Sequence, residues 1–349
     1  MEKTLENKRK NEKTGGKSLN NDFVDKYVFA ENTIITEKRQ IKQRAMFIGI
    51  ALLVALAAQL FWSLLYFNIM RLFGFDTEAA TEIARQPIVR QLINQILSVI
   101  CFIFPFLIVA NGCGLKLGEI ASYKKPEKEH MLPIIFISIS FFAFANIASS
   151  AFLKLLAYFG INAASPPDTE AEGIFGFIVT FVGAAIIAPL TEEFAIRGVV
   201  LGSLRKYGDG FAILTSALLF GLMHGNFAQI PFAFVVGVAL GFAVVKTGSV
   251  WTGVIIHFIN NAAAVIIDTA TKNLPMSIKL MANTGYFALC FICLFIGILL
   301  LKGKTKEMVK LSSGECELAS KKVASQFFSS PFIIGYIILI VLKALGNAA

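Results

Sequence analysis

Long, continuously apolar runs separated by short polar segments set the pattern of this 349-residue chain. Most runs reach the roughly 20 residues that an α-helix needs to cross a hydrocarbon core. They do not alternate apolar and polar residues over about 10 positions, as the strands of a membrane barrel would. We therefore predict an all-α, polytopic transmembrane helical bundle of eight or nine spans. The predicted spans are 45–70, 89–110, 131–159, 174–204, two that share 211–245, then 250–267, 286–301 and 327–342.

Composition and charge support a membrane protein. Hydrophobic residues make up 56% of the chain, Phe alone contributes 33 residues, and the net charge is +9. Lys and Arg concentrate in the loops at 111–131, 205–209, 246–248 and 302–326, whereas the loop at 160–173 is acidic. By the positive-inside rule the N-terminus and the basic loops are cytoplasmic. The basic charge is then explained by anionic lipid headgroups, and we expect no nucleic-acid partner.

The chain divides into four segments. Residues 1–44 are polar and rich in Lys and Arg, which predicts a disordered, basic, cytoplasmic arm. Residues 45–172 hold the N-terminal transmembrane helices, 173–268 a core that contains the unusual charges, and 269–349 the C-terminal helices with a Lys-rich cytoplasmic loop. The Lys-rich arm and Phe-rich helices indicate a bacterial plasma-membrane protein.

Several ionisable residues interrupt the apolar runs of the core. Glu192 lies in the fourth predicted span, His224 in the fifth and His257 in the seventh. Counted from the basic or acidic residue that marks the inner end of each span, these residues lie about 20, 22 and 16 Å deep at 1.5 Å per residue. All three therefore lie near the middle of a core that is about 30 Å thick. Ionisable groups at this depth are costly and indicate a functional site.

Helical spacing assigns partners to some of these groups. Glu193 and Arg197 are four residues apart, so they face the same side of a helix and can pair. Glu192 lies about 100° round the same helix. We therefore expect Glu192 to face a cavity unpaired, where a desolvated carboxylate suits a general base. The alternative is that Glu193 and Arg197 form a buried ion pair without any chemistry.

The histidine and amide groups suggest hydrolysis of an amide bond. His257 and Asn261 are four residues apart, and Asn260 is a possible substitute for Asn261. Glu192 with His224 would activate water, and His257 with Asn261 would hold the oxyanion. Zn²⁺ held by Glu192, His224 and His257 is the other option, since three ligands leave an open position for water. The HExxH pattern of soluble metalloproteases is absent.

Three motifs in this core are similar to those of a known protein family. Glu192-Glu193-x-x-x-Arg197, Phe220-x-x-x-His224 and His257-x-x-x-Asn261, in this order, resemble those of the CPBP family. This family comprises the CAAX prenyl protease and bacteriocin-processing membrane proteases, also called the Abi family. The resemblance covers about residues 173–268. It implies an intramembrane endopeptidase, commonly labelled a metalloprotease, with a site open towards the cytoplasmic leaflet and with these functional residues: Glu192, Glu193, Arg197, His224, His257 and Asn261.

The resemblance also implies a substrate class. Eukaryotic members cut prenylated C-terminal tripeptides, and prokaryotic members are associated with bacteriocin maturation or self-immunity. We therefore expect a membrane-associated peptide or protein as the substrate. The competing hypotheses are a non-catalytic immunity or scaffold protein that binds a peptide or lipid in the same cavity, and a transporter whose midplane charges bind an ion.

Overall fold

A computed structural model describes residues 2–116, 128–163, 173–301, 309–318 and 320–348. The described residues form helices and connecting turns, without a β-strand. The predicted all-α, polytopic bundle is confirmed, and the chain is an integral membrane protein. The central part of the 111–131 loop, most of the acidic 160–173 loop and residues 302–308 of the Lys-rich loop lie outside the described residues.

Eleven helices are present in the described part of the chain. Seven of them contain a stretch long and apolar enough to cross a membrane, and a pair bent by 69° near the C-terminus could make an eighth. Their bounds are α1 Glu2–Leu72, α2 Thr77–Arg85, α3 Pro87–Gly112, α4 Lys128–Tyr158, α5 Gly173–Tyr207, α6 Asp209–Met223, α7 Ile230–Thr247, α8 Val250–Thr271, α9 Met276–Leu300, α10 Ser320–Phe328 and α11 Pro331–Gly346.

Two helices differ from the predicted spans. The fifth predicted span corresponds to α6, which has 15 residues and is too short to count among the seven spanning helices. At 1.5 Å per residue it extends about 22 Å, so its C-terminal end, next to His224, stops inside the bundle. The short helix α2 was not predicted. It begins at the N-cap Asp76, whose side chain accepts a hydrogen bond from the backbone N–H of Ala79 at 2.7 Å.

The N-terminal segment also differs from the predicted disordered arm of residues 1–44. Helix α1 begins at Glu2, and its residues from 32 onwards pack against the rest of the bundle. Ile41 is fully buried, and Arg44 donates to the carbonyl oxygen of Ser203. The reason is an apolar stripe at helical spacing, Ile34, Ile41, Ala45 and Ile48, which the high charge of the segment hides.

Helix α5 is long and is locally underwound into wider turns. It contains two π-helical stretches, Val182–Ile187 and Phe194–Leu201, on either side of Pro189. Pro189 has no N–H to donate within the helix, which is one cause of the irregular backbone around it. From the sequence, the apolar run 174–204 is longer than a span needs, which predicts a long, tilted or broken helix, and Pro189 is a reason for a kink. The structure shows one helix with two π turns. Such turns leave carbonyl groups for other partners and are frequent at functional sites.

Close helix packing holds the core of the bundle. Helix α7 lies between α4 and α6. A Cβ atom added at Gly237 would lie 3.1 Å from the Cα atom of Ala217, and one at Gly241 would lie 3.3 Å from Ile213 and Leu201 side chains. Small residues let helix backbones approach in a membrane. The glycines of α7 therefore let this helix pack closely against α6 and α5.

Candidate active site

A buried ion pair lies at the centre of the site. Arg197 Nη1 lies 2.7 Å from Glu193 Oε1, and neither side chain is exposed. Arg197 Nη2 also donates to the carbonyl oxygen of Gly237 at 3.2 Å, which ties α5 to α7. The i, i+4 spacing predicted this pair. Because both charges are buried, removing one partner alone would leave the other uncompensated.

His257 connects this pair to the second carboxylate. His257 Nδ1 lies 3.1 Å from Glu193 Oε1, and its Nε2 lies 3.9 Å from Glu192 Oε2. An ionised carboxylate only accepts hydrogen bonds, so Nδ1 is the protonated nitrogen that donates to Glu193. The bond fixes the imidazole ring with Nε2 facing Glu192. Helix α8 is thereby joined to α5 at the level of the adjacent carboxylates.

His224 lies at the C-terminal end of α6. Its Nδ1 is 2.9 Å from the carbonyl oxygen of Phe220, so Nδ1–H donates and Nε2 is directed to the cavity side. Gly225 then reverses the chain with a φ of +64°, a conformation that glycine adopts without strain. Asn226 Oδ1 accepts from the backbone N–H of Gln229 and closes the turn into α7.

The Phe220 ring organises the three basic side chains. The Arg197 guanidinium lies 4.3 Å from the ring centroid. The rings of His224 and His257 meet Phe220 edge-on at 5.2 and 5.7 Å. A cation over the ring face is attracted by its quadrupole. Phe220 therefore packs against all three basic side chains, which gives the first residue of its motif a physical role.

Two adjacent asparagines complete this region. Asn261 Nδ2 donates to the carbonyl oxygen of Ala184 at 2.8 Å, and Asn260 Nδ2 donates to Asn261 Oδ1 at 2.9 Å. Ala184 belongs to the first π turn of α5, so Asn261 uses a carbonyl in this irregular stretch. Tyr286 Oη lies 3.5 Å from Asn260 Oδ1. The sequence left Asn260 and Asn261 open as alternatives, and the structure places both in one chain of contacts.

These groups line a first cavity of about 370 Å³. It lies between α4, α5, α6, α7, α8 and α9, and four further polar residues that the motifs do not include also line it. Those additional residues are Asn146, Gln229, Asn283 and Tyr286. Asn146 interrupts an otherwise apolar span, which is a signal that the sequence offered. Gln229 lies at the N-cap of α7, and Asn283 and Tyr286 lie in the N-terminal half of α9.

A second cavity of about 570 Å³ lies on the other side of Glu192. It is bounded by α1, α3, α5 and α6, and its polar lining includes Gln59, Asn94 and Ser98. Glu192, His224 and Gln229 line both cavities. The two cavities therefore meet at the carboxylate and the imidazole that the sequence singled out.

The described residues do not fit a three-ligand zinc site in this arrangement. Among them, no group of three His, Cys, Asp or Glu side chains is placed to hold a metal ion. His257 Nδ1 is bonded to Glu193, and His257 Nε2 with Glu192 supplies only two donors that face each other.

Comparison with known proteins identifies the core. The model of the Type II CAAX prenyl endopeptidase Rce1-like family matches residues 174–263, the segment that carries all three motifs. This match and the curated relatives below support a protease of the CPBP family. The matched segment agrees with the 173–268 core that the motifs outlined, and it ends shortly after Asn261.

Two curated relatives extend the similarity beyond the matched core. The chain is 27% identical over 208 residues to the membrane-embedded CAAX protease MroQ of Staphylococcus aureus, covering 57% of this chain and 81% of MroQ. It is also 27% identical over 113 residues to the membrane peptidase YdiL of Bacillus subtilis, covering 32% of this chain and 46% of YdiL. No solved structure matches the chain significantly.

Proposed function

We propose that this chain is an intramembrane endopeptidase in which Glu192 and His224 activate water for attack on a peptide bond. The observation that carries the proposal is the convergence of Glu192, His224 and His257 on one cavity between membrane helices. A carboxylate and imidazoles within reach of a cavity are the groups that general acid–base hydrolysis requires. The family and the relatives named as proteases support the same activity.

The two carboxylates have different roles in this proposal. Glu193 is fully buried and engaged by Arg197 and His257, so its charge is already compensated. Glu192 is partly exposed and lines both cavities, and its Oε2 lies 3.9 Å from His257 Nε2. Glu192 is therefore the general base, and Glu193 is a positioning residue for His257 and Arg197.

The remaining polar groups stabilise the developing charge on the carbonyl oxygen. In its protonated form His257 donates Nδ1–H to Glu193 and presents Nε2–H on the Glu192 side of the cavity. Asn261 supplies amide hydrogens at the same wall, one of which is bonded to Ala184. Donors fixed before the reaction stabilise an oxyanion without reorganisation. Asn260 and Tyr286 position Asn261.

The proposed substrate is a membrane-associated peptide or protein. The cavity lies within the helical bundle, so the scissile bond must enter from a segment held at or in the bilayer. Maturation of a bacteriocin-like peptide or self-immunity in a bacterial plasma membrane is the proposed setting, by similarity to prokaryotic CPBP proteins. The alternative is a non-catalytic immunity or scaffold protein that binds a peptide in the same cavity.

The test compares wild type with Glu192→Gln and His224→Gln in the native host. Membrane and secreted peptides are profiled by mass spectrometry for new C-termini, with Glu82→Gln as the control because the Glu82 side chain is 73% exposed on α2. We expect termini that are present in wild type and the control to fall about 100-fold or more in both site variants. Unchanged termini, in variants that insert and melt like wild type, would refute proteolysis and favour the binding protein.

A further inference from the structure

Glu192 and His224 form part of the wall between two cavities rather than the end of one. Both residues, together with Gln229, line the first cavity and the second cavity. A reagent in either cavity can therefore reach the same carboxylate and imidazole. Hydrolysis needs two reactants at this point, a peptide bond and a water molecule.

The residues that line only one of the two cavities indicate which reactant that cavity binds. His257, Asn260 and Asn261 line the first cavity but not the second, and these are the groups proposed to hold the carbonyl oxygen. Phe232 and Phe287 supply apolar surface there as well. The peptide must contact the oxyanion groups, so the peptide belongs in the first cavity.

The second cavity has the lining of a water site. The amides of Gln59 and Asn94 are exposed at its mouth, on helices α1 and α3. Ser98 lies deeper, with its Oγ 3.3 Å from Thr191 Oγ1, next to Glu192. Gln59 Oε1 accepts a long hydrogen bond from Lys343 Nζ at 3.5 Å. Water is stable in a protein cavity when it has two to four polar partners, and an amide that faces hydrocarbon without a partner is costly.

A buried donor in the same cavity supports this reading. The indole Nε1–H of Trp62, which lines the second cavity, has no hydrogen-bond partner among the described residues. The Asn94 side chain likewise makes no hydrogen bond within the part of the chain that the structure describes. Polar groups inside a membrane bundle are satisfied by protein or by ordered water. We therefore expect the Trp62 indole and the Asn94 amide to bind water in the second cavity.

We propose that the second cavity is the access path and binding site for the hydrolytic water, separate from the first cavity that takes the peptide. This inference rests on the proposed function. Water in the second cavity gives a proton to the Glu192 carboxylate as its oxygen bonds to the carbonyl carbon. The C–N bond then breaks, the proton passes from Glu192 to the leaving nitrogen, and the products are a carboxylic acid and an amine.

The first experiment measures water access without any need for a substrate. Asn94→Cys and Ser98→Cys are compared with Ile96→Cys, whose position on the same helix is 53% exposed on the opposite side and faces lipid. Freeze–thawed membranes that carry the full chain are treated with the charged thiol reagent MTSET. The rate at which each variant gains reagent mass is measured by mass spectrometry, and the rate for wild type, which has only its native cysteines, is subtracted. The thiolate is the reactive form and requires water. We expect both cavity positions to react at least about tenfold faster than Ile96→Cys.

The second experiment measures the supply of water to the reaction. Asn94→Phe narrows the mouth of the second cavity, and Ile96→Phe is the matched control. We expect the peptide C-termini that wild type produces to be lost with Asn94→Phe and kept with Ile96→Phe. Both variants should be monodisperse and should show a cooperative thermal unfolding transition, which confirms that they are folded.

The outcomes separate the two proposals. If the cysteines at positions 94 and 98 react as slowly as the one at position 96, the second cavity is closed or filled by lipid. That result would overturn the proposed water path. Fast labelling with termini unchanged by Asn94→Phe also overturns it. Fast labelling in a chain whose termini do not depend on Glu192 shows a wet cavity without hydrolysis, which refutes the proposed function instead.

Discussion

His257 Nδ1 lies 3.1 Å from Glu193 Oε1, a contact between residues 64 positions apart. This bond makes the second glutamate of the pair a structural anchor, because Glu193 also holds Arg197 at 2.7 Å. The first glutamate is then the carboxylate that remains available in the cavities. Adjacent carboxylates can have unlike roles because a helix turns about 100° between them.

The first prediction concerns the space around Glu193. A Cβ atom at Gly253 would lie 2.6 Å from Glu193 Oε2 and 2.9 Å from Val244. Gly253→Ala therefore displaces the carboxylate and misaligns His257, and we expect at least a tenfold loss of proteolysis, about 1.4 kcal/mol in the barrier. Gly285→Ala is the control, because nothing lies within 4 Å of a Cβ atom there.

Peptide termini and melting temperature are measured for both glycine variants. Equal activity of Gly253→Ala and Gly285→Ala would show that the position of Glu193 does not matter to the reaction. If Gly253→Ala lowers the melting temperature and Gly285→Ala does not, the added methyl group clashes at position 253. Gly253→Ser should then lower the melting temperature further, because its side chain is larger.

The second prediction concerns the buried charges. Arg197→Leu leaves Glu193 without its main counter-charge, which typically costs about 3–5 kcal/mol in the free energy of unfolding. The double variant Glu193→Leu with Arg197→Leu removes both charges and should be less destabilised than Arg197→Leu alone. Unfolding in detergent micelles measures the difference. A double variant that is as unstable as the sum of the two singles would contradict a direct pair.

The sequence predicted contacts within a helix better than contacts between helices. The i, i+4 rule gave Glu193 with Arg197, because both residues share one helical face. The rule could not predict the contact of His257 with Glu193 or that of Asn261 with Ala184, since these contacts depend on the rotation of α8 relative to α5. The π turns of α5 shift that rotation, and Pro189 indicated only that the helix was irregular.

Helix ends were harder to predict than helix centres. The hydropathy of α3 and α4 gave their bounds to within a few residues. The packed stretch before Ala45 was missed because its charge dominated its composition, although Ile41 is fully buried. The bend between α10 and α11 follows Phe328 and precedes Pro331, and only the second helix was predicted.

The third prediction concerns which side of the membrane the cavities face. The first cavity is lined by Ala264 and Asn283, in the halves of α8 and α9 that lie away from the basic residues Lys246 and Lys310. The positive-inside rule puts those basic residues in the cytoplasm. The two expectations from the sequence, basic loops inside and a site open to the cytoplasmic leaflet, therefore conflict.

Cysteine labelling of intact cells decides between them. With the basic end inside, Asn283→Cys should react with a membrane-impermeant maleimide added outside, and Lys310→Cys should react only after the cells are permeabilised. The reverse pattern would place the basic end outside and keep the cytoplasmic opening that the family resemblance implies.

The last prediction concerns Cys316, which lies outside the spanning helices. Burial, and then the Glu37 carboxylate that accepts the Sγ–H at 3.0 Å, raise the pKa of Cys316 from 9.0 to about 11. The protonated thiol is the bonded form. The folded pKa exceeds the unfolded one, so this stabilising contribution is complete below about pH 9 and is lost as the pH rises through about 11.

Thiol alkylation measures this shift. A rise of the pKa by two reduces the thiolate fraction at pH 8 about 100-fold, so Cys316 should react with iodoacetamide far more slowly than a free cysteine. Glu37 also accepts the backbone N–H groups of Glu317 and Leu318, which fasten the segment before α10 to α1. Glu37→Gln should therefore speed alkylation and loosen this segment, whereas Lys38→Gln on the neighbouring position should not. A rate at Cys316 that is independent of Glu37 would show that the carboxylate does not hold the thiol, and that α1 and the C-terminal segment are joined by other contacts.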